Sequence, residues 1–278
     1  MWAGSCAVPC PPTTAESLES RTVSTSPAFE AVERIRRRKR SVGYWIATDN
    51  PVGTERIARV GYDYVGIDAQ HGLIDYKGWL AALLAIEAGG RSAGLVRVPS
   101  NDLTYIGQAL DAGAHGVIVP LVDTAEQAAA AVRSCRYPPE GGRSYGPMRA
   151  GLRIGPAPAE TNAHVLCAVM IETLTALDNL EAIAATPGLD GIYVGPSDLT
   201  LALGGASSTD PAYADTLDEA CGRVCAAAAE RSIAAGIHCP DGATANRRLA
   251  QGFTFATVSS DLVHLEQAAA AHLAAAQG

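Results

Sequence analysis

Short apolar runs recur eight times along this chain, at residues 43–47, 62–67, 93–98, 116–119, 165–171, 191–194, 234–237 and 253–258. Residues 51–60, 79–88, 106–112, 123–136, 174–185, 213–231 and 244–251 fill most of the gaps with amphipathic, helix-like patterns. The short runs are nearly continuous in their hydrophobicity, as in strands of a parallel sheet covered by helices. Eight strand–helix repeats in 278 residues predict an α/β fold, a closed (β/α)8 TIM barrel. A doubly wound open sheet is the alternative. The apolar fraction of 48% with only 5% aromatics, dominated by Ala, Gly, Val and Leu, suits tight helix-on-sheet packing.

Ser26-Pro27 reads as an N-cap followed by proline at the first helical position, opening a helix over residues 27–38. Asp123 and Glu126 have the spacing of a capping box. Residues 1–25 are rich in Ser, Thr, Pro and Glu and cannot bury enough apolar surface to order themselves. The expected organisation is a disordered extension over 1–25 and one barrel domain over 26–278.

The net charge of −8, with one dense basic run at residues 34–40, argues against nucleic-acid binding; that run suits a helix C-terminal end. Seven cysteines without CxxC spacing are expected as free thiols in a reducing cytoplasm. No apolar run reaches 18 residues, so no membrane span is expected, and the opening segment is a poor signal peptide. The irregular stretch 137–164 is long for a barrel connection and carries Arg143, Arg149 and Arg153. It is a candidate lid or subunit contact, with surface salt bridges as the plainer role for its arginines.

In a barrel, catalytic groups gather at the C-terminal ends of the strands. The first run ends near Trp45, and Asp68, Gln70 and His71 follow the second. Arg97 stands near the end of the third run, and Glu172 closes the fifth. Asp198 follows the sixth through the turn Gly195-Pro196-Ser197, His238 ends the seventh and Ser259-Ser260-Asp261 the eighth. Two converging carboxylates, Glu172 and Asp198, suit a hard divalent cation. With only two protein ligands it keeps positions open for a bidentate 2-oxo acid. Arg97 would steady the charge that develops on the substrate oxygen, and His71 would move a proton. Plainer roles exist: Glu172 and Asp198 as a loop-end acid and a helix N-cap, Asp68 as an acceptor for backbone amides, Arg97 as an ion-pair partner.

The segments IDAQHG, VRVPSND, ALDAGAHGVIVPLVDTAEQA, RYPPEGGRSYG, MIET and GIYVGPSDL, spread over residues 40–265, resemble the class II, metal-dependent pyruvate aldolases. That family is typified by hydroxy-oxo-heptanedioate aldolase and 2-dehydro-3-deoxyglucarate aldolase, with macrophomate synthase and citrate lyase β-subunits as relatives. The resemblance implies that Glu172 and Asp198 hold Mg²⁺, Mn²⁺ or Co²⁺, that His71 is the acid/base and that Arg97 holds the pyruvyl oxygen. It implies that Trp45, Gln70, Gly195 and the amides of Ser197 and Asp198 contact substrate, the last two receiving the pyruvate carboxylate. It also implies a homohexamer with an exchanged C-terminal helix, in which Asp111 reaches the histidine of a neighbouring subunit.

Three positions depart from the pattern: Gln70 where the family often has Glu, Met170 where a Gln frequently precedes the IET triplet, and Ser144 for a usual Gly. The expected function is cleavage of a 4-hydroxy-2-oxo acid to pyruvate and an aldehyde through a metal-stabilised enolate, or the reverse addition. Lys39 and Lys77 are the only lysines and neither ends a strand, which argues against a Schiff-base mechanism. The rivals are a citrate-lyase-like C–C lyase on a CoA thioester and a non-catalytic barrel serving as a binding or scaffold subunit.

Overall fold

The computed structural model describes residues 26–278, so the extension expected over residues 1–25 lies outside the described residues, as do Cys6 and Cys10. Eight parallel strands close into a barrel in sequence order. They are β1 (Ser41–Ile46), β2 (Tyr64–Asp68), β3 (Ala93–Arg97) and β4 (Gly116–Val119), then β5 (Leu166–Ile171), β6 (Gly191–Val194), β7 (Ala234–Cys239) and β8 (Phe255–Val258). The predicted barrel is therefore observed, with strand boundaries within two residues of those expected.

Alternation along each strand divides the core in two. Val65, Val96, Val117, Val169 and Ile192 face the surrounding helices, whereas Trp45, Tyr64, Leu95, Ile118, Tyr193 and Phe255 fill the barrel. The helix Pro27–Arg36 adds Val32 and Ile35 to the interior cluster and packs on β1 and β3. It thereby covers the N-terminal mouth of the barrel.

The large interior rings fit because glycine stands beside them in the register. Gly43 pairs with Tyr64, Gly66 with Trp45, and Gly236 with both Tyr193 and Phe255. A Cβ on Gly236 would lie 2.2 Å from the Phe255 ring and 2.5 Å from Tyr193. Above this layer Tyr64 and Tyr193 bring their hydroxyls to Thr257 Oγ1, at 2.7 and 2.6 Å, so the polar tips of the aromatic layer are satisfied.

Several local expectations shift. The first helix ends at Arg36 rather than 38. The capping box is one residue later than expected: Thr124 caps the helix Ala125–Cys135 with Gln127 reaching back, while Asp123 accepts from the Thr173 hydroxyl. The helix expected over 174–185 breaks at Asn179, whose amide donates to the Asp123 carbonyl at 2.8 Å. The stretch 137–164 contains two short helices, Ala150–Arg153 and Pro158–His164. Its arginines pair within the chain, Arg143 with Asp111, and Arg149 and Arg153 with Glu87, but Arg143 does so buried rather than at the surface. Cys135, Cys167, Cys221, Cys225 and Cys239 are free and buried. Among the described residues no helix is long and apolar enough to cross a membrane.

The last helix, Asp261–Gln277, departs from simple barrel packing because none of its residues is buried. Among the described residues its side-chain hydrogen bonds to the barrel come from its start. Asp261 accepts the amides of Ala47 and Thr48, and His264 meets the Tyr44 hydroxyl at 3.0 Å.

Replacing Gly236 with Ala is expected to destabilise the barrel by about 1–3 kcal/mol through overpacking. Gly222→Ala is the control: it sits in the helix Ala214–Glu230 with nothing within 4 Å of an added Cβ. It should be neutral or gain roughly 0.5–1 kcal/mol from helix propensity. Thermal unfolding followed by circular dichroism separates them; a Gly236→Ala melt at or above wild type would contradict the packing described.

Candidate active site

The inward alternation that fills the barrel also delivers its polar mouth. Two residues beyond Gly66 comes Asp68, two beyond Leu95 comes Arg97, two beyond Met170 comes Glu172 and two beyond Gly236 comes His238. Asp68, His71, Arg97, Ser197, Asp198 and His238 line one cavity of about 270 Å³, with Trp45 and Gly195 also on its wall.

Asp68 is the most heavily used group. Its carboxylate accepts Arg97 Nε at 3.0 Å and Nη2 at 2.6 Å, and Trp45 Nε1 at 3.2 Å. It also accepts the backbone N–H groups of Gln70 and His71, each at 3.1 Å. Burial pushes its pKa up, but the Arg97 bond and charge, the His71 amide and Trp45 outweigh that, and the carboxyl is held below its ordinary value. Asp68 thus remains ionised and fixes three things together: the guanidinium plane, the turn that carries His71, and the Trp45 ring, over which Arg97 lies 5.1 Å from the centroid. With Nε and Nη2 engaged, Arg97 Nη1 is left for a substrate oxygen.

Glu172 is only 2% exposed. It does not itself line the cavity. Oε1 accepts the Leu121 amide at 2.8 Å, from a residue held at φ 53°, and Oε2 abuts Gly195, where a Cβ would come within 2.5 Å. Only glycine permits that approach. Burial chiefly, with the Asp198 charge adding, raises the Glu172 pKa; the Leu121 amide and Arg97 oppose the rise. Among the described residues neither Glu172 nor Asp198 has a lysine or arginine ion-pair partner. A buried carboxylate repelled by a second one is the environment a cation relieves. Hard oxygen donors of this kind fit Mg²⁺, Mn²⁺ or Co²⁺. Among the described residues no cluster of three or more His, Cys, Asp or Glu could hold a metal, so a cation held by this pair would have only two protein carboxylates.

The turn Gly195-Pro196-Ser197 starts the helix Pro196–Ala202, placing Asp198 in its first turn. The amides of Ser197 and Asp198 are among the N–H groups that a helix start leaves without intrahelical partners.

Other expected residues fall elsewhere. The Gln70 side chain is off the cavity wall, and its Oε1 is buried without a partner. Asp111 ends the helix Leu103–Asp111, away from the cavity, where its carboxylate meets the buried Arg143 at 2.6 Å. Burial raises the Asp111 pKa against the lowering effect of Arg143. Met170, Tyr193 and His238 line the cavity without having been assigned a site role from sequence. Their signal was inward parity: all three continue the alternation that carries Glu172, Gly195 and Gly236. Burial first, then the Arg97 charge, depresses the His238 pKa to about 4, so this imidazole is neutral.

Comparison with known proteins identifies the family of the chain. The family described as HpcH/HpaI aldolase/citrate lyase matches residues 41–268. A 5-keto-4-deoxy-D-glucarate aldolase of Klebsiella pneumoniae is 42% identical over 224 residues, 80% of this chain and 86% of that enzyme. A hydroxypyruvate/pyruvate aldolase of Rhizorhabdus wittichii is 39% identical over 230 residues, covering 81% and 89% of the two chains. The crystal structure of a family protein from Burkholderia cenocepacia superposes with a TM-score of 0.80 at 31% identity, over 90% of this chain and 99% of that one. With the closed barrel and these matches in agreement, the chain belongs to the HpcH/HpaI aldolase/citrate lyase family.

Proposed function

We propose that this protein is a metal-dependent pyruvate aldolase, cleaving a 4-hydroxy-2-oxo acid to pyruvate and an aldehyde and running the reverse addition. The observation that carries the reading is the Glu172–Asp198 pair, two unneutralised carboxylates beside an arginine already oriented by Asp68. Bound by these carboxylates, a divalent cation supplies Lewis-acid polarisation of the pyruvyl oxygens. Arg97 offers Nη1 to the keto oxygen at C2, where negative charge grows as the C3–C4 bond breaks, and a fixed guanidinium needs no reorganisation to meet it. The first-turn amides of Ser197 and Asp198 receive the pyruvate carboxylate. His71, held by the turn that Asp68 anchors but with its ring exposed, takes the proton from the C4 hydroxyl directly or through water. Lys39 and Lys77 are both off the cavity wall, in keeping with a mechanism without a Schiff base. Among the described residues Arg97 is the only arginine or lysine on that wall, which gives the phosphates of a CoA thioester little to bind.

Wild-type and His71→Ala protein, each assayed for pyruvate release from 4-hydroxy-2-oxo acids and from oxaloacetate with and without EDTA, test these roles together. Chelation should silence both reactions and added Mn²⁺, Co²⁺ or Mg²⁺ restore them. His71→Ala should lose roughly 10²–10⁴-fold in aldol cleavage, the usual contribution of a general base. It should lose far less in decarboxylation, which has no C4 hydroxyl to deprotonate. Turnover indifferent to EDTA would contradict the metal role, and equal losses in the two reactions would contradict the role of His71.

We propose further that the active form is a homo-oligomer, a hexamer in keeping with the family resemblance, with Asp111 completing the site of a neighbour. In support, the helix Asp261–Gln277 buries no residue on its own barrel yet exposes Leu265 and Leu273. Asp111 is also remote from its own cavity, and Arg143 bonds only one of its oxygens. A charge-assisted bond from the partner's acid would orient the His71 imidazole. Mixing inactive His71→Ala and Asp111→Ala proteins under subunit exchange should regenerate a fraction of wild-type sites. A mixture that stays inactive, or an active monomer in sedimentation, would contradict shared sites.

A further inference from the structure

Two cavities meet at the mouth of the barrel, and His238 stands on the wall between them. The site cavity and a neighbouring chamber of about 370 Å³ share Pro196, Ser197, His238 and Ser260. The chamber wall is mainly apolar, with Leu217, Ile237 and Val263 on it and the hydroxyl-bearing Ser208 and Tyr213 interspersed. Ser259, which also lines it, has a buried Oγ without a hydrogen-bond partner.

No step of the proposed reaction uses His238. Its ring packs edge-on against Trp45, with centroids 5.6 Å apart and planes at 69°. Among the described residues neither ring nitrogen has a protein hydrogen-bond partner. With its pKa at about 4 the imidazole is neutral, so one nitrogen donates and the other accepts. A neutral donor–acceptor on a substrate wall complements a hydroxyl, which also donates and accepts; a methyl group offers it nothing. Arg97 and His71 already serve the oxygens at C2 and C4, so the atoms left for the neighbouring chamber are those beyond C4.

We propose that His238 selects the aldehyde half of the substrate by hydrogen-bonding a hydroxyl on the carbon next to the aldehyde carbonyl. This protein then favours α-hydroxyaldehydes over their deoxy counterparts. The inference rests on the pyruvate aldolase reading and adds the class of acceptor to it.

The test is the addition of pyruvate to glycolaldehyde and to acetaldehyde by the wild-type, His238→Leu and His238→Asn proteins, read as the ratio of the two kcat/KM values. The wild-type ratio should favour glycolaldehyde. In His238→Leu it should fall by about 10- to 100-fold, because the substrate hydroxyl is left buried without a partner. His238→Asn keeps a donor and an acceptor and should recover part of the ratio, which also covers poor folding of the leucine variant. A ratio unchanged in both variants, or a wild type that prefers acetaldehyde, would overturn the inference. If such a wild type still decarboxylates oxaloacetate in a chelator-sensitive way, the selectivity alone is overturned. A wild type inert towards pyruvate with either aldehyde and towards oxaloacetate overturns the aldolase reading, and this inference with it.

Discussion

The buried ion pair between Asp68 and Arg97 ties the ends of β2 and β3 together and, through Trp45, the end of β1. One carboxylate accepts five donors, two from the guanidinium, one from the indole and two from the turn that carries His71. Breaking a buried pair by removing one partner typically costs about 3–5 kcal/mol, because the other charge is stranded out of water. The same arrangement makes the site rigid before any substrate arrives. Arg97 cannot swing towards Glu172 or Asp198 without abandoning Asp68, so neither of those two carboxylates gains an arginine partner from it.

The packing underneath supports this polar layer. Trp45 stacks on Tyr193 with centroids 6.4 Å apart, Tyr193 and Tyr64 share the Thr257 hydroxyl, and Gly43, Gly66 and Gly236 make room for the rings. Val32 and Ile35 close the far end of the barrel. The floor of the cavity is therefore a set of interlocked rings, and a shift in one would be felt at Arg97. Gly195 plays the corresponding part on the opposite wall, where its missing side chain lets the Glu172 carboxylate come close to the strand end that bears Asp198.

Much of this was legible in the sequence because a strand has a period of two. Eight apolar runs pointed to the barrel, and the polar residues at the ends of those runs placed Arg97 and Glu172 on one rim. Asp68 could be read as an amide acceptor, and it is one; its capture of Arg97 and Trp45 depends on the lateral order of strands. His238 was visible as a strand end, but its neutrality and its place between two cavities depend on burial and on Arg97, which sequence spacing does not carry. The partner of Asp111 was equally hidden, since Arg143 arrives from a long irregular segment whose path no periodicity describes. The break at Asn179 and the shift of the capping box to Thr124 follow from contacts made by Asp123 with residues distant in the chain.

The most direct measurement is anomalous diffraction from crystals of the full chain grown with Mn²⁺ and pyruvate, collected at the manganese edge. The expected result is one strong peak per subunit bonded to carboxylate oxygens of Glu172 and Asp198, with pyruvate completing the coordination in reach of Arg97. No peak at saturating Mn²⁺, or a peak bound elsewhere while the Glu172–Asp198 pair holds only water, would contradict a metal-dependent pyruvate site in this barrel.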